Sequence, residues 1–314
     1  MACRERAPYD TWLSLDMAFG IVPGIVMSCA TRAHAIPVFE AQEFCLKRVL
    51  LSLFSFAAVL LSSLTLSACG GADGQTLPVN NTSANPDTTA ILVHGAWADG
   101  SSWSGVIPLL KAAGMKVVAV QLPRTSVADD AAVVKRAIAA QSGTVILAGH
   151  SYGGAVVTEA GTDPKVAALV YVSAFAPGDG QSVNDILAPF PKPVWQPSIL
   201  VDSGGYLTLP RETVATYLAP DVPAAAIDII TATQGPLFAH CFDDKITTAA
   251  WKTKPSWWVL SLQDQIIPPA LQQGMATAIN ATVVTVGSGH LSLVTHPNEV
   301  AAAIISAAKQ TGHL

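Results

Sequence analysis

The stretch TVILAGHSYGG, Thr144 to Gly154, decides how the rest of the chain is read. Its first half, TVILA, is β-branched and aliphatic without polar alternation, the pattern of a parallel strand covered on both faces. Its second half sets Gly149, Gly153 and Gly154 around Ser151 and runs straight into an apolar helical pattern that continues to Ala160. A Gly-x-Ser-x-Gly turn between a strand and a helix is a nucleophile elbow. So tight a turn forces Ser151 into a strained backbone state, and flanking glycines let backbone approach backbone. The serine oxygen is pushed out above the sheet, next to the free N–H groups of a helix start.

Working outward, the same strand–helix alternation repeats. Short apolar runs at Ala90–Val93, Lys116–Val120, Val166–Val172, Trp257–Leu262 and Thr282–Val286 join Thr144–Ala148 as six strands. Helical patterns at Ser102–Ala113, Ala128–Ala140, Tyr152–Ala160, Pro269–Ile279 and Pro297–Lys309 fill the gaps, the last two opening on proline. No 20- to 50-residue repeat is visible. The class expected is α/β, a doubly wound, mostly parallel six-stranded sheet. One segment interrupts the rhythm: residues 176–255 are too long for a loop without structure of its own. With helical patterns at Arg211–Leu218 and Pro223–Thr231, they are read as an inserted helical cap.

A serine needs a base, and the base an orienting acid, in the chain order Ser, acid, His for an elbow of this kind. Of the histidines after Ser151, only His290 sits in a loop just past the last strand, in Gly287-Ser288-Gly289-His290. His240 falls in the cap, His296 at a helix entry and His313 at the terminus, while His94 and His150 read as structural hydrogen-bonders. Asp264 follows the strand WWVLSL and is the preferred acid, with Asp179 in Ala176-Pro177-Gly178-Asp179 as its competitor. Two N–H groups are expected to hold a developing oxyanion, those of Tyr152 and of Ala96 in the His94-Gly95-Ala96-Trp97 loop after the first strand. Gly95, Trp97, Trp195 and Phe238 are expected to line the substrate pocket.

With these residues placed, the chain from about Thr89 onward resembles the α/β-hydrolase superfamily, in particular the branch of plant methyl salicylate esterases and hydroxynitrile lyases and their bacterial secreted relatives. HGAW, PLLKAAGMKVVAVQL, GHSYGG, VSAFAPGDG and QDQIIPP carry the likeness. The resemblance implies Ser151, Asp264 and His290 as a catalytic triad beneath a cap over an apolar pocket. The lyases of that branch have Lys after the catalytic His and Thr in place of the glycine of HGA, whereas this chain has Leu291 and Gly95. The expectation is therefore a serine esterase acting on small to medium hydrophobic carboxylic esters. The alternatives are a cofactor-free lyase, for which the cap could supply Lys245 or Lys252 as the cation, a C–C hydrolase using the same triad, and a non-catalytic membrane-tethered binding protein.

Composition narrows the partners. Charged residues are 12% of the chain against 51% hydrophobic, which excludes disorder over most of its length. A net charge of −5, with no basic run beyond Lys47-Arg48 and Lys135-Arg136, lacks the footprint of a nucleic-acid binder. There is no HExxH, P-loop or G-x-G-x-x-G fingerprint, so neither metal nor organic cofactor is expected.

The N-terminal part reads as targeting sequence. Val49–Ala68 is 20 uncharged residues preceded by Lys47-Arg48, long enough to span a bilayer. Leu66-Ser67-Ala68-Cys69 resembles the lipobox of bacterial lipoproteins, which implies lipidation at Cys69 and export with a lipid anchor; an uncleaved membrane anchor is the alternative. The domain plan expected is a mixed-charge extension over 1–45 ahead of the true start, a signal segment and lipobox over 46–69, a tether over 70–88 and the hydrolase domain over 89–314. A weaker signal pattern, Met17–Ala35, is broken by Gly20, Pro23 and Gly24. Only Cys241 lies in the body, which excludes an internal disulfide there and reads as a buried small apolar residue.

Overall fold

The computed structural model describes residues 87–314. The proposed extension, signal segment, Cys69 and nearly all of the tether lie outside the described residues. Asp87 and Thr88, assigned above to the tether, are already docked: Lys116 donates its backbone N–H to Thr88 O and pairs through Nζ with Asp87 at 2.7 Å.

All six expected core strands are present: β1 (Thr89–Val93), β2 (Lys116–Ala119), β3 (Val145–His150), β4 (Val166–Val172), β8 (Ser256–Ser261) and β9 (Thr282–Val286). They form one wholly parallel sheet in the order β2-β1-β3-β4-β8-β9. The inner strands β1, β3, β4 and β8 are buried almost throughout, which is why their sequences lack alternation. Tyr171 on β4 and Trp258 on β8 stack across the pair at 5.2 Å, both fully buried. Helices α1 (Val106–Ala112), α2 (Val127–Ala139), α3 (Gly153–Ala160), α6 (Pro269–Ala278) and α7 (Pro297–Gln310) flank the sheet. Local signals set their starts: Ser126 caps α2 by accepting the Asp129 N–H at 3.0 Å, and Pro297 opens α7.

The cap departs from the expectation. Beside α4 (Val183–Leu187), a helical stretch over 211–218 and α5 (Ala224–Thr233), it carries a three-stranded antiparallel sheet, β5 (Leu200–Val201), β6 (Tyr206–Thr208) and β7 (Leu237–Phe238). Strands of two or three residues are too short to show a period of two, so the sequence pattern registers only the helices. The β5–β6 turn is closed by Asp202, whose carboxylate accepts the N–H groups of Gly204 and Tyr206 at 2.8 and 2.9 Å.

Candidate active site

Parallel strands deliver their carboxyl ends to one edge, and the site is assembled there from four of them. Ser151 follows β3 directly, with φ +54° and 6% of its surface exposed. The strain is held by packing: a Cβ on Gly149 would stand 2.5 Å from Gly153 O, so the turn closes only around glycine. Ser151 N–H donates to Val172 O, and its carbonyl accepts from Gly154 and Phe175 N–H.

His290 lies four residues past β9, and its Nε2 is 2.9 Å from Ser151 Oγ; Asp264, three residues past β8, places Oδ2 2.7 Å from His290 Nδ1. Because the carboxylate only accepts, Nδ1 carries the ring proton and the Nε2 lone pair accepts the Ser151 hydroxyl. The Asp264 carboxylate is saturated: Oδ1 accepts Ile266 and Ile267 N–H at 2.8 and 2.9 Å, and Oδ2 accepts Gln272 Nε2 at 2.8 Å besides His290. Gln272, on α6 and fully buried, also donates to Ile267 O.

The loop carrying His290 is gripped from several sides. Ser288 and Ser292 flank His290, and buried hydroxyls run Ser292–Ser173–Ser261–Ser288 with Oγ separations of 3.1, 2.7 and 3.0 Å, tying the loop to the ends of β4 and β8. His150 Nε2 donates to His290 O at 3.0 Å, its ring 4.8 Å from that of His290; burial holds its pKa well below the usual range, so it stays neutral. From the cap, Asp221 accepts Gly289 N–H at 2.9 Å and the Thr295 hydroxyl at 3.1 Å.

The loop after β1 is fixed with equal care. Buried His94 accepts Leu122 N–H through Nε2 and donates through Nδ1 to Gly95 O, and burial lowers its pKa to about 4. Gly95 stands against Ser151, where a Cβ would meet Ser151 Cβ at 2.8 Å. That approach brings the following Ala96 to the serine, and neither Ala96 N–H nor Tyr152 N–H is bonded within the described residues. The Tyr152 side chain is buried and donates to Asp130 Oδ2 at 2.8 Å; burial raises the Asp130 carboxyl to about 6. Asp130 Oδ1 accepts Arg124 N–H, and the Arg124 side chain donates to Ala98 O and to Pro236 O in the cap, stapling the two together.

Above Ser151 is a chamber of about 270 Å³ lined by Ala96, Trp97, Phe175, Trp195, Leu207 and Phe242 among others. Trp97, at φ +56°, meets Trp195 and Phe242 edge-on at 6.3 Å, and its Nε1 donates to Leu207 O. Trp195 Nε1 donates to Gln265 O beside the acid loop.

Two expected pocket residues need correction. Phe238 is not in the chamber: on the short strand β7 its neighbour Leu237 takes the buried face, and Phe238 turns against Tyr206 at 5.2 Å. Phe242 takes its place. Gly95 likewise packs beneath Ser151 rather than lining the chamber. Asp179 does not reach His290; it pairs with Lys252 at 2.6 Å and accepts Ala249 N–H. Lys245 pairs with Asp185, so Lys245 and Lys252, the two lysines considered above as a cation source, are both engaged at the surface. Cys241 is buried, its thiol pushed up to about 12 by burial, and His240, His296 and His313 lie against Asp244, Thr295 and Thr144. Sequence reading passed over Gln272, Asp221, Asp130 and the four serines; an amide eight residues after the acid is the only local trace of them.

The Alpha/beta hydrolase family model matches residues 90–303. The chain belongs to that family. It is 27% identical over 222 residues to a probable hydrolase R7 of Phoma sp., covering 64% of this chain and 89% of the relative. Among solved structures, a pyrethroid hydrolase of Sphingobium faniae superposes with a TM-score of 0.60 at 24% identity, covering 71% of this chain and 97% of that one. A methylesterase of Arabidopsis gives 0.61 at 19%, covering 71% and 99%. These likenesses show the α/β-hydrolase fold over the matched residues.

Proposed function

We propose that this hydrolase is a serine esterase with Ser151 as nucleophile, His290 as general base and Asp264 as the residue that orients it. The observation that carries the reading is the unbroken line Ser151 Oγ–His290 Nε2–His290 Nδ1–Asp264 Oδ2, 2.9 and 2.7 Å, beneath an apolar chamber. As Ser151 attacks the ester carbonyl, its proton passes to His290 Nε2 and the imidazolium is stabilised by Asp264. The carbonyl oxygen becomes an oxyanion, for which the unbonded Ala96 and Tyr152 N–H groups are the donors, each worth about 3–4 kcal/mol in such sites. The alcohol leaves with the proton from Nε2, and water repeats the cycle on the acyl-enzyme. The aromatic walls and the chamber volume support a hydrophobic acyl group of small to medium size.

The test is hydrolysis of p-nitrophenyl esters of increasing acyl length. Turnover should pass through an optimum and fall at least about 10³-fold in Ser151→Ala; undiminished turnover in that variant would refute the assignment. We further propose that the protein is exported and lipid-anchored at Cys69, a reading that rests on Val49–Ala68 and the Leu66–Cys69 segment. Incorporation of labelled palmitate that persists in Cys69→Ala would overturn it.

A further inference from the structure

A second cavity shares a wall with the chamber. It is a groove of about 360 Å³ on the other side of Ala96 and Trp97, lined by Leu291, Val294, Leu218 and the apolar face of α5 through Ala226, Ile229 and Ile230. Ile229 and Val294 are exposed by 64% and 36%, so the groove presents apolar surface to solvent that nothing in the described residues covers. The two cavities differ in which catalytic loop borders them. Ser151 borders the chamber, whereas Leu291, next to His290, borders only the groove.

Resting on the esterase reading, we propose that the groove is the subsite for the alcohol arm of the ester, and that the substrates of this enzyme carry an apolar group on both sides of the carboxyl. The argument is stereochemical. An ester carbon whose oxygen accepts the Ala96 N–H sits beside Ala96, which together with Trp97 lines both cavities. From that point an ester has two arms. The acyl arm stays bonded to Ser151 and remains in the chamber that Ser151 borders. The alkoxy oxygen must face His290 Nε2, because that nitrogen returns the proton as the C–O bond breaks and the bonding pair goes to the departing oxygen. The arm attached to it is thereby directed along Leu291 into the groove. Trp97, fixed by its bond to Leu207 O, separates the arms.

The experiment compares methyl butyrate with benzyl butyrate, which share an acyl group and differ in the alcohol, by titrating released acid. The wild type should favour the benzyl ester in kcat/KM by about 10-fold or more. Ala226→Trp, which fills the groove, should erase that preference while leaving methyl butyrate within about twofold. Ile229→Ser, at an exposed position that leaves the fold intact, should reduce the benzyl preference about threefold. Equal effects on both esters, or none, would overturn the groove assignment while Ser151-dependent turnover of methyl butyrate upheld the esterase reading. Absence of any Ser151-dependent turnover would overturn both.

Discussion

Ser151 and His290 are held by opposite means. Ser151 is fixed by backbone: a positive φ, glycines with no room for a Cβ, and main-chain hydrogen bonds to Gly154, Val172 and Phe175. His290 is fixed by side chains drawn from far along the chain, with Asp264, His150, Ser261, Ser173 and Asp221 all converging on one six-residue loop. A turn built of close contacts tolerates almost no change at a few positions. A loop built of many hydrogen bonds spreads its dependence and loses it in steps.

The largest break expected is at the acid. Asp264→Asn keeps the shape but replaces an acceptor of four hydrogen bonds with a group that can also donate, and reverses the imidazole tautomer; kcat should fall about 10⁴-fold. Steady-state kinetics with folding checked by circular dichroism tests it, and a change under tenfold would contradict the orienting role. Next is Gly149→Ala, where the added methyl meets Gly153 O at 2.5 Å; it should cost about 3 kcal/mol of stability in denaturant titration and most of the activity. Gln272→Leu removes one of the two donors to Asp264 Oδ2, leaving His290 alone there, and should lower kcat on the order of 10²-fold with KM little changed. Asp221→Ala removes the cap's hold on Gly289 and should lower kcat about tenfold, with Asp221→Asn, which retains an acceptor, recovering most of it.

These contrasts follow what was legible in the sequence. The six strands could be read because burial on both faces makes them continuous apolar runs, and the elbow because its glycines and serine are contiguous. Asp264 and His290 could be read because each stands just past a strand whose carboxyl end the topology brings to one edge. The supports could not. Gln272, Asp221, His150 and the serine chain act across separations that no local pattern records, and serine and glutamine carry no signal that separates a buried clamp from a solvated surface. The cap is opaque for a related reason: strands of two or three residues leave no period, so the sequence does not show that Leu237 takes the buried face and that Phe242, not Phe238, lines the chamber.

The smallest effect sharpens the comparison through pH. Buried Asp130, raised to about 6 from an ordinary value of 3.8, binds a proton more readily folded than unfolded, so its contribution to stability is lost as pH rises through that window. Buried His94, lowered to about 4 from 6.5, acts in the opposite sense and adds stability as pH rises through 4 to 6.5. The two offset one another in the wild type. Asp130→Asn should leave the His94 contribution unopposed, so that stability climbs more steeply between pH 4 and 6 in denaturant titrations.

The most direct test of the central claim is covalent trapping with an alkyl fluorophosphonate followed by peptide mass spectrometry. The account predicts one adduct, on the peptide containing Ser151, formed about 10³-fold or more slowly in His290→Ala and absent in Ser151→Ala. An adduct on another residue, or trapping at an unchanged rate without the His290 imidazole, would contradict it.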